Sequence, residues 1–293
     1  MMRIIKKTNI DFIGKRYYYF VISAVLILIG SISIAVKGIN LGLDFTGGTL
    51  LQIKFEKAVK ITELRKIMKK VELEPMIHEY EGNSFAFKVK GEQENVNEIA
   101  NKIISALTSN LHNKFIEEKR DFVGPVVGRE LTKKAIFAII LSLFGIILYI
   151  AFRFANPVWG TAGVLALAHD VFITIGALSI TGREIDLVII AALLTIAGYS
   201  INDTIVIFDR MRENLKKFPK MRLGQLINLS INENLSRTII TSVTVFIAAL
   251  CLFIFGGTVI NSFAFAILIG NISGTYSTIA IASPMVYQWS KRR

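Results

Sequence analysis

The residues in this chain that could do chemistry lie where chemistry is costly. The stretch GYSINDTIVIFDR, residues 198–210, follows directly on IDLVIIAALLTIA, which is apolar enough to sit in hydrocarbon. Asp203 falls in the last third of that run, roughly 7–8 Å inside its end near Phe208. A carboxylate in such a place costs about 2.5–3.5 kcal/mol on insertion scales. Tyr199 and Thr195 precede it by four and eight residues, which puts a polar stripe on one helical face, with Ser200 and Asn202 beside it. A group so placed can take and release a cation; it can also simply bond a neighbouring helix.

Arg237 opens the next apolar segment, with Thr241 and Thr244 following at helical spacing. Two consecutive antiparallel helices would bring the levels of Asp203 and Arg237 within a turn or two of each other. An arginine neighbour and apolar surroundings pull the protonation of a carboxylate in opposite directions, and that balance suits proton loading. In LALAHDVFITIG, His169 and Asp170 stand near mid-membrane. Successive helical residues diverge by about 100°, so the two cannot both face one partner. His169 reads equally as a helix–helix hydrogen bonder or as a relay. Asp170 is expected roughly 10–12 Å from Asp203 in depth. Two carboxylates at two heights are what a hydrated path would need, although one of them could be structural. In IGNISGTYST, Gly270 and Gly274 form a GxxxG step among Ser273, Thr275, Ser277 and Thr278, which reads as close helix packing.

The elements that must position these groups are membrane helices. The 293 residues are 53% hydrophobic and 19% charged, below the ~25% charge of soluble domains. The apolar excess is gathered into runs at 17–36, 135–152, 158–180, 187–208, 238–255 and 259–287. Each is long enough to cross roughly 30 Å of hydrocarbon. The first is too long and uniform for the core of a signal peptide and reads as an uncleaved anchor. The net charge of +12 is unevenly spread. Segment 37–133 carries sixteen Lys/Arg against fourteen Asp/Glu, while basic clusters precede 17, follow 209 and end the chain. By the positive-inside rule, both termini and a loop at 209–236 face the cytoplasm. Topology signalling and attraction to anionic lipid account for the clusters better than nucleic acid does. The single cysteine, Cys251, lies inside a span, which leaves no disulfide framework.

Four parts follow: a basic N-terminus at 1–16, a first helix at 17–36, an external piece at 37–133, and five helices over 134–293. In the external piece, GGTLLQIKFE reads as a strand and KITELRKIMKKV as an amphipathic helix opened by Thr62. EPMIHEYEG and NSFAFKVKG read as two strands turning at Gly82-Asn83, EQENVNEIANKIISALTSNL as a helix and KFIEEKRDFVGP as a strand. The order βαββαβ is the ferredoxin-like plan. His78 and His112 stand alone, and no cluster suggests catalysis, so this domain reads as a lever or binding module and not an enzyme. Residues 222–238 read as a short amphipathic helix lying on the membrane surface.

LGLDFTGGTLLQ, VGPVVGREL, LALAHD, GYSINDTIVIFDRMREN, NENLSRTIITSVT and FGG, in this order, resemble the SecF family of protein-export membrane proteins in the RND superfamily. The resemblance covers nearly the whole chain and is to the stand-alone form. It implies an α-helical polytopic protein of the inner membrane with six transmembrane helices, an RND-type half, and a small α+β ferredoxin-like extracytoplasmic domain between helices 1 and 2. It implies SecD as a partner, together with the SecY–SecE–SecG channel, YajC and an unfolded preprotein as substrate. It implies no cofactor, the proton being the coupling ion, with sodium left open. Asp203 and Arg237 fall on the family's proton-coupling residues. His169 and Asp170 fall on a motif of less settled role, and Tyr199, Asn202 and Thr241 lie along the same path or packing surface. Asp44, Gly47 and Gly48 fall on the DFTGG turn, read as a hinge between membrane motion and the lever. Two other classes stay open, a passive scaffold of the translocon and half of an RND-type exporter of lipids or small molecules.

Overall fold

The computed structural model describes residues 8–290 except Glu74, Glu81, Gly82, Lys90–Asn95, His112 and Ala155; the side chains of His78, Tyr80, Val96, Pro125, Thr258 and Val259 are likewise outside the description. The lone His112 and the first residue of the Gly82-Asn83 turn therefore lie outside the described residues. The chain divides into two compact units, Met1–Asn40 with Ile139–Arg293, and Leu41–Ala138.

The second unit starts at α2 (Leu43–Thr46), a single turn closed by the Gly47 N–H on the Leu43 carbonyl at 2.9 Å. Gly47 and Gly48 then take φ values of 65° and 126°, which a side chain would resist, and the chain enters β1 (Gly48–Phe55). α3 (Ile61–Lys70), β2 (Met76–Tyr80), β3 (Ser84–Val89), α4 (Val96–Asn110) and β4 (Phe115–Val123) follow. The sheet order is β2-β3-β1-β4 with every pairing antiparallel, the order of the split βαβ plan. Leu51, Ile53 and Phe55 alternate along β1 and meet Leu64, Ile67, Ile103 and Leu107 of the two helices in one apolar core. Thr62 does not cap α3; Lys60 stands at the N-cap and gives no side-chain bond. Asn83 holds the β2–β3 turn at φ 61°.

Six helices are long and apolar enough to cross a membrane. They are α1 (Arg16–Lys37), α5 (Pro125–Arg153), α6 (Pro157–Ile180), α7 (Leu187–Lys217), α8 (Leu223–Phe255) and the composite of α9 (Gly257–Ser277), a π-helical turn (Thr278–Ala282) and α10 (Ser283–Ser290). Side-chain caps fix two starts: Asn156 accepts from Val158 N at 3.0 Å and Asp186 from Ile189 N at 2.8 Å. The π turn ends two residues before Pro284, which has no N–H to give the Ala280 carbonyl, so a wider turn suits the position. α1 and α6 cross with backbones in contact: a Cβ on Gly176 would lie 3.0 Å from the Gly30 Cα. Gly270 and Gly274 do the same for α9 on α7, where a Cβ on Gly274 would meet the Ser200 Cβ at 3.1 Å.

Two expectations are corrected. Residues 209–217 and 223–236 are helical, so the loop expected over 209–236 shrinks to 218–222. Nor does 222–238 form a separate helix lying on a membrane surface. It is the first half of α8, with Leu226, Ile227 and Ile231 buried against Phe12, Ile13 and Met211. The amphipathic stripe was real, but it faces protein.

Candidate intramembrane site

Asp170 is 0% exposed and sits where α6, α7 and α9 meet. Its Oδ2 accepts from Ser200 and Ser277 at 2.6 Å each, and its Oδ1 from Ser273 at 2.7 Å. His169 Nδ1 lies 3.0 Å from the same Oδ1, and Nε2 lies 3.1 Å from Ser23 Oγ on α1. The divergence expected of neighbouring helical residues is therefore present: Asp170 faces α7 and α9, and His169 faces α1. The imidazole nevertheless reaches back to the carboxylate beside it. The Asp170 side chain joins α6, α7 and α9, His169 adds α1, and three of the Asp170 partners are the small hydroxyls that close helix packing admits.

Asp203 is in the opposite situation. It is buried, and its Oδ2 has no hydrogen-bond partner among the described residues. Ser200, which bonds Asp170, lies three residues before it on α7, roughly 4.5 Å of helical rise. The carboxylates are thus nearer in depth than the 10–12 Å expected, because α7 runs on to Lys217 and its apolar end does not mark its level in the bundle. Thr204 adds a hydroxyl pair with Thr278 at 3.0 Å, on the π turn.

Arg237 is exposed, and among the described residues no ion pair joins it to Asp203. Thr241 spends its hydroxyl on the Arg237 and Thr238 carbonyls of its own helix at 3.0 Å each. Tyr199 is half-buried with its hydroxyl unpartnered, while Asn202 and Thr195 are exposed. Hence the polar stripe of α7 turns from the surface into the bundle along its length. At the other predicted position, Gly128 of α5 packs on α2: a Cβ there would lie 3.3 Å from Gly47 N and 3.4 Å from the Asp44 carbonyl oxygen. The DFTGG turn and the VGPVVGREL segment therefore touch.

A family model described as Protein export membrane protein SecD/SecF, C-terminal, matches residues 103–292, and one described as the SecD/SecF GG Motif matches residues 32–59. The chain is 45% identical over 286 residues to a protein named Protein translocase subunit SecF of Calditerrivibrio nitroreducens, covering 96% of this chain and 94% of that one. The chain belongs to the SecF family. Protein translocase subunit SecF of Thermodesulfovibrio yellowstonii is 43% identical over 295 residues, covering 98% and 96%. The crystal structure of SecDF from Thermus thermophilus, a translocon-associated membrane protein, superposes with a TM-score of 0.89 at 36% identity, and a SecDF structure in the super-membrane-facing form with 0.72. This SecF-family chain spans 40% of the length of those SecDF chains. Its six apolar helices make it a multi-pass membrane protein.

What reading along the SecF-family sequence missed is the ligand set of Asp170. Ser23 is a lone polar residue on an otherwise apolar turn of α1, and Ser273 and Ser277 share the face of Gly270 and Gly274. That small-residue face was a usable signal for close approach to another helix, but not for which carboxylate it would meet.

Proposed function

We propose that this chain is an accessory subunit of the Sec export machinery in the inner membrane and that, with SecD, it uses the proton-motive force to promote preprotein translocation and release on the outer side. The observation that carries the reading is Asp203: buried in the bundle, with one carboxylate oxygen unpartnered, and one turn of α7 from the residue that bonds Asp170. A proton can be added there without displacing a donor. In this reading Arg237, the residue that falls on the family's second coupling position, responds to the change in charge. One charge crossing 100 mV is worth about 2.3 kcal/mol, roughly a fiftyfold bias on a conformational equilibrium. The positive-inside pattern supports cytoplasmic termini. The naming of relatives as a protein translocase subunit and as translocon-associated supports a translocon partner; the SecY–SecE–SecG channel and an unfolded preprotein are the partners the family resemblance implies.

The test is preprotein release from inverted vesicles after ATP-driven insertion, with and without an imposed proton gradient, for wild type and Asp203→Asn, both with SecD. Release that responds to the gradient only in wild type is the expected result. Equal responses would return the chain to a scaffolding role. Exchanging the proton gradient for a sodium gradient identifies the coupling ion.

A further inference from the structure

The hydrogen bonds around Asp170 do not stop at His169. From His169 Nε2 they continue to Ser23 Oγ at 3.1 Å, from Ser23 Oγ to Tyr276 Oη at 3.3 Å, and Tyr276 donates to the Tyr19 carbonyl at 2.7 Å. His169 and Ser23 are 7% and 4% exposed, so the middle of the chain is sealed from solvent. Its outer end is not. Tyr276 and Tyr19, packed edge to face at 6.3 Å, both line a groove of about 440 Å3 shared with Phe12, Ser242, Asn271 and Thr275. The groove is lined mostly by apolar side chains, has room for several waters, and offers them one polar foothold in the buried Oδ1 of Asn271, which has no partner among the described residues.

Counting protons along the chain distinguishes two arrangements. With Asp170 as a carboxylate, His169 Nδ1–H donates to Oδ1, Nε2 must accept, and Ser23 donates to it. Tyr276 gives its proton to the Tyr19 carbonyl, so no proton remains between Ser23 and Tyr276. With Asp170 as the acid, Oδ1–H donates to Nδ1, Nε2–H donates to Ser23, and the Ser23 proton turns to Tyr276. Every contact is then bonded. Once the Tyr276 hydroxyl turns from the Tyr19 carbonyl to Ser23, one arrangement becomes the other by four transfers: a proton from the groove passes to Tyr276 Oη, the Tyr276 proton to Ser23 Oγ, the Ser23 proton to Nε2, and the Nδ1 proton to Oδ1. His169 remains neutral with its tautomer exchanged, Ser23 is regenerated, and Asp170 gains the proton.

We propose that Tyr276, Ser23 and His169 form a proton relay between this groove and Asp170, with His169 as the shuttle. The relay deepens the proton-coupled reading above and rests on it. The elements packed around it carry Tyr19 on α1, Tyr276 on α9, Tyr199 and Asp203 on α7, and Arg237 on α8; among the described residues no lysine or arginine bonds any member of the chain.

The experiment measures gradient-driven preprotein release by the complex with SecD for His169→Gln, Ser23→Ala and Ser23→Thr, alongside thermal stability and co-purification of SecD. Glutamine can bridge Ser23 and Asp170 by hydrogen bonds but cannot pass a proton between its two ends. A fall on the order of tenfold in His169→Gln and Ser23→Ala, with stability and assembly kept and Ser23→Thr near wild type, is the expected result. Wild-type release in His169→Gln overturns the relay. So does a loss of release that comes with a loss of stability or of SecD, which would make the chain a helix-packing device. A wild-type complex that ignores the gradient overturns the proton-coupled reading itself, which is a separate outcome.

Discussion

Asp170 of α6 and Asp203 of α7 are two buried carboxylates about one turn apart in depth that the fold treats in opposite ways. Asp170 has its lone pairs taken by three serines and an imidazole, while Asp203 keeps an oxygen with no donor. Removing a fully bonded carboxylate strands its donors in an apolar bundle, and each stranded group costs about 1–3 kcal/mol. Asp170→Ala is therefore expected to destabilise the purified protein by about 3 kcal/mol, and Asp203→Asn by less than about 1 kcal/mol. Thermal unfolding in detergent checks the ranking. If Asp203→Asn proved the more damaging, Asp203 would be the structural group and its coupling role would fall.

The extension of α8 owes its burial to the segment that precedes α1. Asn228 Oδ1 accepts from Phe12 N and Ile13 N at 3.0 Å each, and its Nδ2 donates to Asp11 Oδ1 at 2.6 Å. Asn232 accepts from Ile10 N at 3.0 Å and donates to the Ile10 carbonyl at 2.9 Å, as a paired strand would. Two asparagines on one helix face thus grip an extended segment and seat Phe12 and Ile13 in the core. Asn228→Ala leaves two N–H groups without an acceptor, and faster proteolysis at Lys15 and Arg16 should report the loosened segment. Unchanged protection would mean the apolar contacts suffice. The clasp also carries a pH signature. The Gly14 N–H, and next the Asn228 side chain, hold the Asp11 carboxyl below its ordinary value of 3.8. A depressed carboxyl contributes stability that is fully present above the unfolded value and is lost as pH falls through the folded one. Protection of the segment should accordingly hold at neutral pH and weaken below about pH 4, and Asp11→Asn should remove that dependence.

At the scale of the whole molecule, an even number of spans puts both ends on one side. α5 leaves large apolar side chains uncovered by the rest of the chain, with Phe144 61% and Phe152 90% exposed, which lipid or partner helices must cover. In the proposed topology, which rests on the positive-inside rule, the basic loop at 218–222 faces the cytoplasm and the second unit the outside. Cys251 is the single cysteine, so a Cys251→Ser background allows a direct test. Lys220→Cys should react with an impermeant maleimide in inverted vesicles but not in intact cells, and Lys57→Cys the reverse. The opposite labelling would overturn the proposed topology.

Hydropathy and periodicity are local properties, so the sequence by itself determined the six spans, the βαββαβ order and the glycine turn at 47–48. It also marked Asp203 and Asp170 as costly, because a charged residue in an apolar run is visible without knowing its neighbours. The tertiary structure decided everything that depends on which faces meet. Ser23, Ser200, Ser273 and Ser277 lie up to 254 positions apart, and only the crossings at Gly30–Gly176 and Gly274–Ser200 bring their hydroxyls around His169 and Asp170. The same holds for α8, whose amphipathic face could have met lipid or protein until the N-terminal segment docked on it. A stripe states that a face must be covered, and only packing chooses the cover.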